Sequence, residues 1–123
     1  MKRPLSVTLL AWVFIVVGSL GLASGLVSLG RVASTGGVAS MTRHYLVDTG
    51  LHLLSGLIAT IGGAGLLHGF RWARWVCLGW MAFHVVLSIF HSPFELVIHS
   101  AMLVAMIYLL FRRGAMNYSR AGQ

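Results

Sequence analysis

Four long apolar runs account for most of this 123-residue chain. They cover roughly Leu5 to Leu29, Leu46 to Leu67, Trp72 to Phe90 and Pro93 to Phe111. Each run approaches the ~20 residues with which an α-helix crosses ~30 Å of hydrocarbon. Because the mean hydropathy is +0.88 and only 9% of the residues are charged, polar groups are too few to cover a soluble surface. The sequence therefore predicts an all-α fold, a four-transmembrane-helix up-and-down bundle that forms a single domain over residues 1–123.

Most of the basic residues lie at the ends of these runs that would face the same side of the membrane. Seven of the nine Lys and Arg residues are Lys2, Arg3, Arg71, Arg74, Arg112, Arg113 and Arg120. By the positive-inside rule, both termini and the 69–74 loop are cytoplasmic, in a multi-pass protein of the bacterial inner membrane. The net charge of +7 is too dispersed to indicate a nucleic-acid partner. The first run exceeds the ~7–15-residue core of a signal peptide, so we expect it to be a retained helix.

Small residues recur at helical spacing in the first two runs. The first contains Gly21-x3-Gly25, and the second contains Ser55, Ala59 and Gly63. Such steps let membrane helices approach closely. We favour packing within one monomer over a homo-oligomer that associates through these glycine faces.

The chain's only two carboxylates, Asp48 and Glu95, lie in two copies of one pattern. The copies are His44-x3-Asp48-x3-His52 and His91-x3-Glu95-x3-His99. Residues four apart share a helix face, so each copy places a carboxylate between two imidazoles. Glu95 has a competing role, because Ser92-Pro93-Phe94-Glu95 has the form of a capping box. His44 and His91 lie near the outer surface, and His91 is a further candidate ligand.

Three of the histidines are expected at one depth. A rise of ~1.5 Å per residue from the helix ends places His52, His84 and His99 at the same level of the outer leaflet. Asp48 and Glu95 would lie one turn above two of them, where a carboxylate orients a ligating imidazole. We predict a cofactor-binding cluster of these three histidines, with the two carboxylates as orienting partners.

The identity of the ligand stays open at this stage. Histidines at matched depth suit a haem iron, a chlorophyll magnesium or another metal, and Met81, Met102 and Cys77 just below would suit a soft metal such as Cu(I). The rival hypothesis is a structural network in which the imidazoles bond to serines, carboxylates and backbone across helices. Proton or quinone handling is a third alternative.

The C-terminal half resembles a known group of proteins. The stretches that carry the resemblance are Arg71-Trp72-Ala73-Arg74-Trp75, Trp80-Met81-Ala82-Phe83-His84, Ser88-x-Phe90-His91-Ser92, Glu95 and His99. They resemble a family of small uncharacterised bacterial four-helix integral membrane proteins. The resemblance implies the same fold and brings no activity or ligand with it.

No catalytic constellation is apparent. The sequence has no convincing nucleophile–base arrangement, phosphate-binding glycine loop or CxxC pair, so we do not expect an enzyme. We expect an accessory or stabilising subunit of a larger bacterial membrane complex, redox or photosynthetic, whose partners are the lipid bilayer and other membrane-protein subunits. The alternatives are a haem-, metal- or chlorophyll-binding redox protein and a transporter-like homo-oligomer.

Overall fold

The computed structural model describes residues 4–34, 43–90 and 92–121, and these are helical almost throughout. The helices are α1 (Leu5–Ser34), α2 (Arg43–Leu67), α3 (Arg71–Ser88), α4 (Pro93–Phe111) and α5 (Arg113–Ala121). No strand occurs in these three described segments. The first four helices correspond to the four apolar runs, so the predicted all-α class is confirmed. The bounds of α4 agree with the prediction, while α1 and α2 extend into their polar flanks and α3 ends before Phe90.

The short α5 was not predicted from the sequence, and it corrects the expectation of four helices. Ala115 is only 1% exposed and belongs to the buried core. It lies with Val7, Leu66 and Leu110 around a small cavity at that end of the bundle. The helix has nine residues of mixed polarity, too few to produce an apolar run, so only its packing reveals it.

Three of the described helices are long and apolar enough to cross a membrane. They are α1, α2 from Tyr45 onward, and α4. Their outer faces carry large apolar side chains, such as Leu9 and Val104, both 67% exposed. Such a surface suits lipid acyl chains and is unfavourable in water. The structure therefore supports a membrane protein with three candidate spans, and α3 is less apolar than these.

Glycines bring α1 and α2 into backbone contact. A Cβ atom added at Gly18 would lie 2.7 Å from the carbonyl oxygen of Gly56, and one added at Gly56 would lie 2.7 Å from that of Gly18. Gly21 also faces Gly56, and Gly25 packs against Leu53. The predicted packing of glycine faces within the monomer is thus confirmed for α1, whose glycines contact α2 of the same chain.

A tight turn joins α2 to α3. Gly69 adopts a positive φ of 77°, a conformation that favours glycine. Its N–H donates to Leu66 O, and the N–H of Phe70 donates to Gly65 O. This Schellman arrangement ends α2 and reverses the chain.

Helix α3 runs antiparallel to both of its neighbours along its whole length. Against α2, the positions of Gly65 and Gly62 face Trp72 and Cys77, and Ser55 bonds Trp80 farther along. Against α4, Trp75 meets Phe111 near one end, with ring centroids 5.6 Å apart, and Ser88 meets His99 near the other. The third helix therefore lies between α2 and α4 and packs against both over most of its length.

The buried core occupies the half of the bundle next to α5. Most of its members come from the first half of α1 and α3 and from the second half of α2 and α4, with Met81 near the middle of α3 and Ala115 in α5. They are Val7, Ala11, Phe14, Ala59, Leu66, Ala73, Cys77, Met81, Met106, Leu110 and Ala115. The opposite half contains the predicted histidines. It is less tightly filled, and a cavity lies there.

Candidate functional site

A cavity of about 460 Å³ lies among α1, α2, α3 and α4. We call it the histidine cavity. It is lined by Val17, Gly18, Gly21, Asp48, Leu51, His52, Ser55, Gly56, Trp80, Phe83, His84, Leu87, Ser88, Glu95 and His99. Its size falls within the ~300–1,000 Å³ typical of small-molecule pockets. The fold therefore brings the three predicted histidines and both carboxylates to one place.

The three imidazoles are held in the same way. The Nδ1 atoms lie 2.9 Å from Asp48 O in His52, 2.9 Å from Trp80 O in His84 and 2.8 Å from Glu95 O in His99. Each acceptor is the main-chain carbonyl one helical turn earlier. Because a carbonyl can only accept, Nδ1 carries the proton in each ring, and in the neutral imidazole Nε2 then keeps its lone pair. All three rings thus present the same tautomer.

Main-chain carbonyls, rather than carboxylates, orient these rings. The Oδ1 atom of Asp48 is 3.7 Å from Nδ1 of His52, too far for a good hydrogen bond, and the Asp48 side chain is 70% exposed. At Glu95, the backbone N–H donates to Ser92 Oγ at 3.2 Å, which is the N-cap half of the predicted capping box. Both carboxylates lie at the edge of the histidine cavity, with their oxygens available as acceptors.

Hydrogen bonds between α2 and α3 fix His84 from both sides. The indole N–H of Trp80 donates to Ser55 Oγ at 2.9 Å and to Ser55 O at 3.0 Å. The Ser55 hydroxyl lies 3.4 Å from His84 Nε2 and donates to it. The Trp80 and His84 ring centroids are 4.1 Å apart. This part of the site matches the structural network that was one of the alternatives.

Ser88 connects α3 to α4. It is 3% exposed, and its hydroxyl donates to His84 O at 2.7 Å. Nδ1 of His99 lies 3.0 Å from Ser88 Oγ, so the His99 N–H is shared between this oxygen and Glu95 O. The His84 and His99 ring centroids are 6.1 Å apart.

Two imidazole nitrogens take no part in this hydrogen-bond network. Within the described segments, no hydrogen bond reaches Nε2 of His52 or His99. Both side chains line the histidine cavity. Two oriented lone pairs are therefore open to a ligand, a feature that a purely structural network does not require.

The residues considered for a soft metal lie elsewhere. Cys77 is fully buried against Gly62 and lines neither large cavity. Met81 and Met102 line a second cavity between α1 and α4. Among the residues that the structure describes, no three His, Cys, Asp or Glu side chains converge closely enough to hold a metal ion. His91 lies outside the described residues, as does the side chain of His44.

The second cavity is an apolar groove of about 310 Å³, which the sequence reasoning missed. We call it the α1/α4 groove. It is lined by Leu10, Val13, Phe14, Val17, Trp80, Met81, His99, Met102, Ala105, Met106 and Leu109. Helices α1 and α4 contact each other much less than α1 contacts α2, and no sequence signal marks a gap between helices so far apart in the chain.

Comparison with known proteins gives no relative: no family model, curated protein or solved structure matches the chain. The resemblance of its C-terminal half to small bacterial membrane proteins stays a prediction. The geometry of the two cavities is therefore the basis for a functional proposal.

Proposed function

We propose that the protein is a four-span protein of the bacterial inner membrane that binds a small membrane-soluble molecule in the histidine cavity. The 18 residues of α3 span about 27 Å. Because α3 runs antiparallel along both α2 and α4, a membrane that these two helices cross would be crossed by α3 as well. Four spans place both termini on the same side, and the distribution of Lys and Arg favours the cytoplasmic side.

The observation that carries the binding proposal is the pair of free Nε2 lone pairs on His52 and His99. Each ring is held by its Nδ1 proton, so the lone pair is presented without further ordering. The His52 side chain is 53% exposed, so a ligand can reach it. A ligand that donates a hydrogen bond to these nitrogens gains about 0.5–1.5 kcal/mol per bond, and a metal centre can instead accept the lone pair.

A prosthetic group is the second candidate, because His84 and His99 face each other from adjacent helices. Their ring planes differ by 28°, with centroids 6.1 Å apart. Imidazole nitrogens ligate haem iron, and Nε2 is the free atom in both tautomers. Against this, His84 Nε2 already accepts from Ser55, so the first candidate fits the present arrangement better.

An accessory role in a larger membrane complex stays a prediction. The exposed apolar side chains of α1 and α4 suit lipid and a partner helix equally, because lipid tails are as apolar as leucine. The same holds for a transporter-like homo-oligomer, which would need a surface other than the α1 glycines that contact α2.

Extraction of the purified protein tests the binding proposal. We expect about one tightly bound small molecule per chain, identified by mass spectrometry and an absorption spectrum after release by organic solvent. The double variant His52→Phe with His99→Phe should lose it. His68→Phe is the matched control, because His68 is exposed in the turn after α2 and lines neither cavity. Equal contents in the wild type and the double variant would contradict the proposal.

A further inference from the structure

The histidine cavity and the α1/α4 groove adjoin each other at His99. Val17, Trp80 and His99 line both. The first space is bordered by imidazoles, hydroxyls and carboxylates, whereas the second is bordered almost wholly by apolar side chains. One molecule that passes His99 would therefore place a polar head in the first space and an apolar tail in the second.

The hydrogen-bonding capacity left in the histidine cavity is on the acceptor side. The Trp80 N–H and the Ser88 O–H are both bonded within the protein. Nε2 of His52 and of His99 can only accept, and ionised carboxylates also only accept. A head group with only carbonyl or ester oxygens could not bond to these acceptors, because such oxygens have no proton to donate. A head group that carries O–H donors would satisfy the site.

The two free acceptors are on different walls of the cavity. His52 belongs to α2 and His99 to α4, and these helices lie across the bundle from each other, each packed against α3. This separation favours a ligand with at least two donors. Trp80 and Phe83 also line the cavity, and aromatic side chains favour contact with a flat ring.

We infer that the ligand is a quinol-type amphiphile, whose ring hydroxyls donate to His52 and His99 and whose tail occupies the α1/α4 groove. This inference rests on the proposed binding function and names the ligand class. The oxidised quinone has the same ring and tail but lacks the O–H donors. The site therefore discriminates between the two redox forms by hydrogen bonding, and no electron transfer by the protein is involved.

Paired probes test the head group. Purified, delipidated protein in detergent would be titrated with decylubiquinol and with decylubiquinone by calorimetry under argon. We expect the quinol to bind about tenfold more tightly or better, the ratio that corresponds to two lost hydrogen bonds. Equal affinities for the two forms would overturn the assignment.

A pair of variants tests whether the apolar tail occupies the α1/α4 groove. Ala105 lines the groove, whereas Ala101 is an exposed residue one turn away on α4 that lines neither cavity. We expect Ala105→Trp to weaken decylubiquinol binding about tenfold and to leave the affinity for tailless duroquinol unchanged. Ala101→Trp should change neither. An unchanged decylubiquinol affinity in a folded Ala105→Trp protein, checked by thermal melting, would overturn the groove assignment.

The failures of the two proposals are distinguishable. If quinone and quinol bind equally and both are lost in the His52→Phe, His99→Phe double variant, the ligand class is wrong and the histidine cavity stands. If a haem or an ethanolamine phospholipid is recovered from the purified protein and its binding depends on the histidines, the ligand class is again wrong and the histidine cavity again stands. If no probe binds and no extracted molecule depends on the histidines, both proposals are wrong.

Discussion

At the scale of the residue, Ser88 is the contact that joins two walls of the histidine cavity. Its buried hydroxyl bonds to the backbone of α3 and to the imidazole of His99 on α4. The His99 N–H is shared between Ser88 Oγ and Glu95 O, and the bond to Ser88 is the one that crosses between the two helices. This single side chain therefore contributes to stability and to the orientation of a proposed ligand group.

We expect Ser88→Ala to lower the free energy of unfolding by about 1 kcal/mol, because it removes the hydrogen bond that joins α3 to His99 on α4. Thermal or denaturant unfolding in detergent, followed by circular dichroism, measures this. The control is Ser24→Ala, where an exposed hydroxyl donates only to Gly21 O of its own helix. An equal effect of the two substitutions would argue against the interhelical role of Ser88.

At the scale of the element, the contact between α1 and α2 depends on the absence of side chains. Gly18 and Gly56 let the two backbones touch, and Gly63 does the same against Ala11 O, which a Cβ atom would approach to 2.7 Å. Membrane helices have little hydrophobic drive to associate, so close van der Waals packing is their main source of stability.

The variant Gly56→Ala should separate these helices. Its Cβ would lie 2.7 Å from Gly18 O and from Leu22 N, both backbone atoms that cannot rotate away. We expect a loss of about 1–3 kcal/mol in unfolding free energy. The control is Gly50→Ala in the same helix, where a Cβ meets no atom within 4 Å. If Gly56→Ala is as stable as Gly50→Ala, the close contact of α1 and α2 is wrong.

At the scale of the whole molecule, packing is uneven between the two halves of the bundle. The core fills the half next to α5, whereas both cavities include residues of the other half. A tightly packed half holds the helices in register, so the other half can keep an open space. The α1/α4 groove joins the two halves, because Phe14, Met81 and Met106 belong to the core and also line the groove.

Reporter fusions test the four-span topology. With green fluorescent protein or alkaline phosphatase fused after Gln123, we expect fluorescence and no phosphatase activity, since four spans return the chain to the cytoplasmic side. A phosphatase fusion within the 36–37 region, between α1 and α2, should be active. Phosphatase activity at the C-terminal fusion would indicate an odd number of spans and would contradict the proposed topology.

Much of the helical layout could be predicted from the sequence, because run length and helical rise are local properties. The bounds of α4 agree with the prediction, and His52, His84 and His99, placed at one depth by counting residues, line one cavity. The role of these histidines in binding a ligand stays a prediction. The nine-residue α5 was missed because it is too short to give a pattern.

The apolar runs by themselves determined that this chain forms long helices suited to a membrane, and residue counting predicted a shared depth for three histidines that line one cavity. Only the tertiary structure decided how each helix is rotated about its axis. That rotation turns Ser55 toward Trp80 and the neighbouring Gly56 toward α1, and it leaves the α1/α4 groove open. The physical reason is that rotation depends on the side chains of distant helices, which no local periodicity encodes.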